Sequence, residues 1–91
     1  NAMQHILKQH GPSSKVSGKS KFAEHMTPQK IRMYTKMALR KGNIKNSPDG
    51  SQRLTLKGFK KPVGKSPNGK PVHGISVIVR NGKVMTAFPS K

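Results

Sequence analysis

The chain has 91 residues, no cysteine and a formal net charge of +17, because 19 lysines and arginines stand against two acidic residues. Its length is that of one small domain, and the absence of cysteine excludes disulfides and thiolate metal sites. No apolar run approaches the ~20 residues that cross a bilayer. So positive a chain predicts a polyanionic partner, either nucleic acid or an acidic protein that imitates it.

The first two residues, Asn1 and Ala2, precede Met3 and look like a cloning scar, so we expect one domain over residues 3–91 that is cut from a longer protein. The first predicted helix covers residues 3–10. Its apolar face consists of Met3, Ile6, Leu7 and His10. Five residues turn a helix by about 140°, so His5 and His10 do not form an i, i+4 metal pair.

A loop rich in glycine, serine and lysine follows at residues 11–21. Its backbone amides, hydroxyls and ammonium groups suit a phosphate. It is not a P-loop, because the first glycine and a preceding strand are missing. The residues that we expect to contact nucleic-acid phosphate here are Lys15, Lys19, Ser20 and Lys21.

The second predicted helix begins with Thr27 as N-cap and Pro28 at its first position, and Gly42 ends it. Its predicted core face consists of Ile31, Tyr34, Met37 and Ala38. On the opposite side lie Arg32, Lys36 and Arg40, at i, i+4 and i+8. This charged stripe is either a solvated face or a surface that tracks phosphates.

The residue pattern of the second half of the chain predicts strands. Residues 43–51 are a turn-rich connection, residues 53–59 a strand, residues 62–64 irregular and residues 66–69 a turn. Helices followed by strands indicate an α+β fold, with N-terminal helices packed on a small twisted antiparallel sheet of three to four strands.

The closing segment predicts a hairpin, because two β-branched runs flank Asn81-Gly82. With a two-residue loop, Arg80 pairs with Lys83. The predicted core face is then Ile75, Val77, Val79, Val84, Thr86 and Phe88, and the other face is Ser76, Ile78, Arg80, Lys83, Met85 and Ala87. A bulge would reverse the facing. Phe88-Pro89 is expected to end the strand.

The two acidic residues, Glu24 and Asp49, exclude much chemistry. They cannot build a Mg²⁺ site of several carboxylates, and glycosidase or aspartic-protease chemistry fails for the same reason. The remaining histidine, lysine, serine, threonine and tyrosine side chains suffice for RNA cleavage by the RNA's own 2′-hydroxyl, without metal or cofactor. DNA lacks the 2′-hydroxyl, so these residues favour RNA over DNA as substrate.

Four histidines are candidates for acid–base roles: His5, His10, His25 and His73. His10 is the strongest, because it is the polar end of an apolar helix face and adjoins the phosphate-friendly loop. His73 precedes Gly74, where a small residue would let a ligand approach. We predict RNA contacts for His73 and Arg80, and a position just before the helix cap for His25.

Several segments resemble bacterial EndoU-like toxin domains. These are His5-Ile6-Leu7, Gly18-Lys19-Ser20-Lys21-Phe22, Thr27-Pro28-Gln29-Lys30-Ile31, Val77-Ile78-Val79 and Val84-Met85-Thr86-Ala87-Phe88-Pro89. The size, charge and order of elements are also similar to the colicin D nuclease. Both belong to the barnase/EndoU/colicin/RelE group of ribonucleases, which occur as C-terminal toxins of contact-dependent growth inhibition and related systems.

The resemblance implies a tRNA-cleaving toxin at the end of a larger exported protein, which acts in the cytoplasm of a target bacterium. It also implies an acidic immunity protein and, for some members, dependence on elongation factor Tu. By this resemblance His5 and Thr86 are catalytic, and the acid–base pair is His5 with His10 or one of them with Lys19. The rival interpretation is a non-enzymatic RNA- or DNA-binding module of the ribosome-associated type.

Overall fold

A computed structural model describes residues 2–11 and 19–91 of the chain. The helices are α1 (Ala2–His10) and α2 (Pro28–Lys41). The strands are β1 (Lys21–Phe22), β2 (Asn43–Asn46), β3 (Gln52–Leu56), β4 (Gly64–Lys65), β5 (Pro71–Val72), β6 (Gly74–Arg80) and β7 (Lys83–Ser90). They form a four-stranded sheet of order β2-β3-β6-β7 and a three-stranded sheet of order β1-β4-β5. The predicted α+β class is confirmed.

The core lies between α2 and one face of the four-stranded sheet. Ile31 and Ala38 of α2 are fully buried, as predicted. Tyr34 and Met37 are only half-buried, and Thr35 takes the third buried position of the helix. The Thr35 hydroxyl donates to the backbone carbonyl of Ile31 at 2.7 Å, which satisfies the one polar group that this helix buries.

The predicted ends of α2 are confirmed. The hydroxyl oxygen of Thr27 accepts a hydrogen bond from the backbone N–H of Lys30 at 3.2 Å, and proline occupies the first turn. At the other end the N–H of Gly42 donates to the carbonyl of Ala38 at 2.8 Å. A side chain at Gly42 would meet the backbone of Thr55 on β3, so the helix ends in direct contact with the sheet.

The hairpin turn is also confirmed. Asn81 and Gly82 both have positive φ, of 52° and 74°, as a two-residue loop of this type requires. Arg80 pairs with Lys83 and the next residues pair as predicted. The register then shifts, because Ile78 pairs with Thr86 and leaves Met85 without a partner. Met85 is thus a β-bulge, half-exposed at 49%.

The bulge overturns the predicted facing of the last strand. Beyond Met85, Ala87 and Pro89 pair with core residues of β6 and are buried, whereas Thr86 and Phe88 lie on the second face. The expectation that Phe88-Pro89 ends the strand is also wrong, because β7 continues to Ser90. Pro89 is tolerated there because β7 is an edge strand of its sheet.

Short strands account for the other differences from prediction. Asn43–Asn46, predicted as part of a turn-rich connection, is strand β2 and pairs with β3. Gly64, predicted to be irregular, pairs with Phe22 and Val72 in the three-stranded sheet. A Cβ at Gly64 would collide with the ring of Pro89, so this small sheet packs tightly against the end of β7. The predicted turn at residues 66–69 joins β4 to β5.

Deleting Met85 is expected to leave the domain folded, because it removes the one strand residue without a partner and keeps Thr86 opposite Ile78. The expected change in Tm is within about 8 °C, which corresponds to ~1 kcal/mol in a domain of this size. Deleting Ala87 is the control. It would force Thr86 into the fully buried Ala87 position, at an overpacking cost of about 1–3 kcal/mol. Thermal melts that rank the two deletions the other way would contradict the bulged register.

Candidate active site

Helix α1 supplies two histidines and is anchored by Ile6, whose side chain is 2% exposed in the core. The helix ends at His10, where the N–H of Gly11 donates to the carbonyl of Leu7 at 3.0 Å. A side chain at Gly11 would collide with that carbonyl. His10 is therefore the last residue of the helix.

His10 is the buried polar end of the apolar face of α1, as predicted. Its side chain is 8% exposed, and its Nδ1 lies 2.7 Å from the backbone carbonyl oxygen of Ser20. Because a carbonyl only accepts hydrogen bonds, Nδ1 carries the proton when His10 is neutral. Nε2 then keeps its lone pair. The bond to Ser20 holds the tautomer in which Nε2 can take up a proton.

Burial lowers the pKa of His10 below its usual value of 6.5, because the charged ring would lose hydration. The Ser20 carbonyl opposes this shift, and the nearby positive charges of Lys19 and His5 add to it. The net direction is downwards. At neutral pH His10 is therefore an uncharged proton acceptor.

Thr86 reaches the same site because of the bulge at Met85. Its hydroxyl oxygen is buried and has no hydrogen-bond partner among the described residues. A buried polar group left unpaired costs about 1–3 kcal/mol, so such groups are rare. The Thr86 hydroxyl is therefore a donor that an oxygen of a bound ligand could satisfy.

These side chains line one cleft of about 490 Å³. Its lining residues are His5, His10, Lys19, Ser20, Pro67, Thr86 and Phe88. The cleft thus brings together all four residues predicted to be catalytic, which are His5, His10, Lys19 and Thr86. His10 is buried within it, whereas His5 and Lys19 are exposed. A ligand that contacts the buried ring of His10 could therefore also reach the side chains of His5 and Lys19.

Phe88 forms the apolar wall of the cleft and was predicted to lie in the core instead. Its ring centroid lies 5.5 Å from that of His10, with the planes inclined by 32°. The guanidinium carbon of Arg53 also lies over this ring, 5.3 Å from its centroid. No sequence pattern brings Arg53 to Phe88, because the contact depends on the pairing of β3, β6 and β7. The sequence signal that could have found Phe88 is the bulge, which puts it on the face of Thr86.

Of the other predicted RNA contacts that the structure describes, Ser20 lines the cleft and the rest lie outside it. Arg32, Lys36 and Arg40 are exposed along α2, as both interpretations of that stripe require. Lys21 is half-buried and lines a separate cleft with Lys65. Lys15 falls outside the described residues, and Arg80 is exposed beside the hairpin turn.

Two of the four histidines are tied to backbone carbonyls away from the cleft. The Nδ1 of His73 lies 3.0 Å from the carbonyl oxygen of Phe59, and the Nε2 of His25 lies 2.8 Å from that of Pro62. A side chain at Gly74, beside His73, would meet the backbones of Leu56 and Ser90. The predicted ligand access at this glycine is therefore wrong, since neighbouring strands fill the space.

The acidic residues do not converge within the described part of the chain, where no group of three metal-binding side chains forms. Asp49 accepts hydrogen bonds from the backbone N–H and the hydroxyl of Ser51, at 2.9 and 2.6 Å. The Ser51 hydroxyl is the main reason that the pKa of Asp49 is lowered. Asp49 therefore stabilises the turn between β2 and β3.

No helix of the described residues is long and apolar enough to cross a membrane.

The chain is similar to part of a much longer bacterial protein, the tRNA3(Ser)-specific nuclease WapA of Bacillus spizizenii. The two are 34% identical over 91 residues, which cover 94% of this chain and 4% of the length of WapA. No family model matches the chain, and no solved structure shows significant similarity to it.

Proposed function

We propose that this domain is a toxin ribonuclease that cleaves tRNA without a metal ion. The observation that carries the proposal is the cleft that joins the neutral base His10 to the unpartnered hydroxyl of Thr86. The net charge of +17 supports a polyanionic substrate. Similarity to WapA, a tRNA-specific nuclease, supports tRNA as that substrate. The narrower assignment to the EndoU or colicin D type rests on the sequence resemblance alone.

The residues of the cleft suffice for each step of the proposed cleavage. Nε2 of His10 takes the proton of a substrate 2′-hydroxyl, and the 2′-oxygen attacks the adjacent phosphorus. Lys19 and the Thr86 hydroxyl stabilise the added negative charge of the phosphorane. The bond to the 5′-oxygen then breaks while His5 gives that oxygen a proton. The products are a 2′,3′-cyclic phosphate and a 5′-hydroxyl.

The environments of the two histidines support this division of roles. Burial keeps His10 neutral, and the Ser20 carbonyl holds the tautomer that a base needs. His5 is exposed on the same cleft, so its ring is accessible both to a leaving oxygen and to solvent. The sequence leaves open which of His5, His10 and Lys19 form the acid–base pair. We assign His10 as base and His5 as acid.

The small number of possible metal ligands supports the proposal that cleavage needs no metal ion. Enzymes that act on phosphates hold Mg²⁺ through one or two carboxylates together with substrate phosphates, and this chain has only Glu24 and Asp49 to offer. Asp49 is engaged with Ser51, and neither acidic side chain lines the cleft of His10 among the described residues. The cations of the cleft take the charge-neutralising role that a metal ion would otherwise have.

Purified chain incubated with total tRNA in EDTA tests the proposal. Wild-type protein is expected to cleave tRNA, and the double variant His5→Ala/His10→Ala is expected not to. A parallel reaction with a cell extract detects a requirement for a translation factor such as elongation factor Tu. If wild-type protein binds tRNA but cleaves none in either reaction, the non-enzymatic binding module is the better description.

We also propose that the domain is the toxic end of a larger exported protein and acts in the cytoplasm of a target bacterium. An acidic immunity protein would hold it inactive by covering the cleft. Because the chain carries +17, the association rate is expected to be high at low salt and to fall steeply as salt rises. Stopped-flow measurements across a salt series would check this. A tight inhibitor whose association rate is independent of salt would contradict it.

A further inference from the structure

The second face of the four-stranded sheet continues beyond the proposed active site as a basic surface. Strand pairing places Thr86 and Phe88 of β7 on the same face as Arg53 of β3 and Lys45 of β2. From β7 to β2 is three strand intervals, or about 14 Å. This distance corresponds to about four nucleotides of a stacked strand, at roughly 3.4 Å each.

The far end of this face is a separate pocket of about 290 Å³. Its charged lining residues are Lys45, Arg53, Lys57 and Lys91, and Asn43 and Thr55 add an amide and a hydroxyl. Neither acidic side chain of the chain lines it among the described residues. A cluster of cations with polar donors between them is suited to phosphate oxygens.

The pairing within this pocket is unfavourable without a counter-charge. Lys45 lies directly opposite Arg53 on the neighbouring strand, and like charges in that position destabilise a sheet. A bound phosphate would remove the repulsion. The sheet therefore carries an arrangement that costs stability in the free protein and that a polyanion would relieve.

Arg53 connects this pocket to the active-site cleft. Its Nε donates to the hydroxyl of Ser76 at 3.3 Å, and its guanidinium lies over the ring of Phe88. The hydroxyl of Ser76 is held in turn by Ser90 at 2.7 Å and Thr55 at 3.1 Å. Arg53 makes no other side-chain hydrogen bond to the described residues, so its terminal nitrogens remain available to a ligand.

From this geometry we propose that the surface formed by Lys45, Arg53, Lys57 and Lys91 binds the RNA backbone that flanks the scissile phosphate. The inference rests on the proposed ribonuclease function, because it takes the cleft of His10 as the point of cleavage. It also identifies a phosphate track other than the loop of residues 11–21 and the α2 stripe. The substrate strand would cross the sheet from β7 towards β2.

The test is tRNA binding by the double variant Lys45→Gln/Lys57→Gln, in a His10→Gln background that prevents cleavage. Two lost phosphate contacts are expected to reduce the slope of log K against log salt by about 1.4–1.8. Both lysines are exposed, and Lys45→Gln removes a cross-strand repulsion, so the Tm is expected not to fall. The control is Arg32→Gln/Lys36→Gln on α2, which removes the same charge and is expected to change the slope much less.

Equal loss of slope in both double variants, or a greater loss in the α2 variant, would overturn the proposed subsite. The cleavage assay with intact His10 separates this failure from that of the ribonuclease proposal. If the subsite variant loses slope but the wild-type chain never cleaves RNA, the backbone subsite stands and the catalytic proposal is wrong.

Discussion

Replacing His10 with glutamine is expected to lower kcat/KM for RNA cleavage by about 10²–10⁴-fold, the usual contribution of a positioned acid–base group. Glutamine can still donate to the Ser20 carbonyl that now holds Nδ1, so the local packing is preserved. It cannot take up a proton from a 2′-hydroxyl. Initial rates with tRNA, alongside the thermal melt of each protein, measure the effect.

His25→Gln is the matched control. His25 also uses one ring nitrogen to contact a backbone carbonyl, that of Pro62, but it lies outside the cleft. Its replacement is expected to leave the cleavage rate nearly unchanged. An active His10→Gln variant, or equal losses in both variants, would remove His10 from the proposed mechanism.

The pH profile gives an independent signature of the same residue. A base must be deprotonated to act, so kcat/KM is expected to fall as pH drops through the pKa of His10. Burial places that pKa below 6.5, and the acidic limb therefore lies below pH 6.5. In the residual activity of His10→Gln this limb should be absent.

Thr86→Val is expected to separate catalysis from stability. Loss of an oxyanion donor costs about 10²–10³-fold in kcat. The Tm is expected to stay the same or to rise, because valine has a similar shape and the hydroxyl that it removes has no partner among the described residues. Activity assays and thermal melts on the same samples provide both readouts.

Thr35→Val is the matched control for Thr86→Val. The Thr35 hydroxyl is also buried, but it donates to the Ile31 carbonyl and lies on α2 rather than in the cleft. This variant is expected to keep its activity and to lose up to about 1.5 kcal/mol of stability. A Thr86→Val variant that behaves like Thr35→Val would show that Thr86 has only a structural role.

The parts of the fold that the sequence predicts well are those fixed by local chemistry. Thr27, Pro28 and Gly42 bound α2 because capping and helix termination depend on a few neighbouring residues. Asn81 and Gly82 form the hairpin turn because both must adopt positive φ. His10 was likewise singled out by the helix pattern and its side-chain type, whereas His5 was named only through the family resemblance.

The remaining features depend on partners distant in sequence. Strand β2 (Asn43–Asn46) is poor in strand-forming residues and exists because β3 pairs with it. The bulge at Met85 depends on which residues of the whole fold are buried, since it puts Ala87 in the core and Pro89 against Gly64. Because one bulged residue reverses the facing, the face on which Thr86 and Phe88 lie could not be predicted from alternation alone.

The most direct test of the central claim is the chemistry of the RNA ends after cleavage in EDTA. Attack by the 2′-hydroxyl, with His10 as base, predicts fragments that end in a 2′,3′-cyclic phosphate and begin with a 5′-hydroxyl. Mass spectrometry of a cleaved tRNA distinguishes these ends. Abolition of cleavage by EDTA, or fragments that end in a 3′-hydroxyl, would contradict metal-independent cleavage in this cleft.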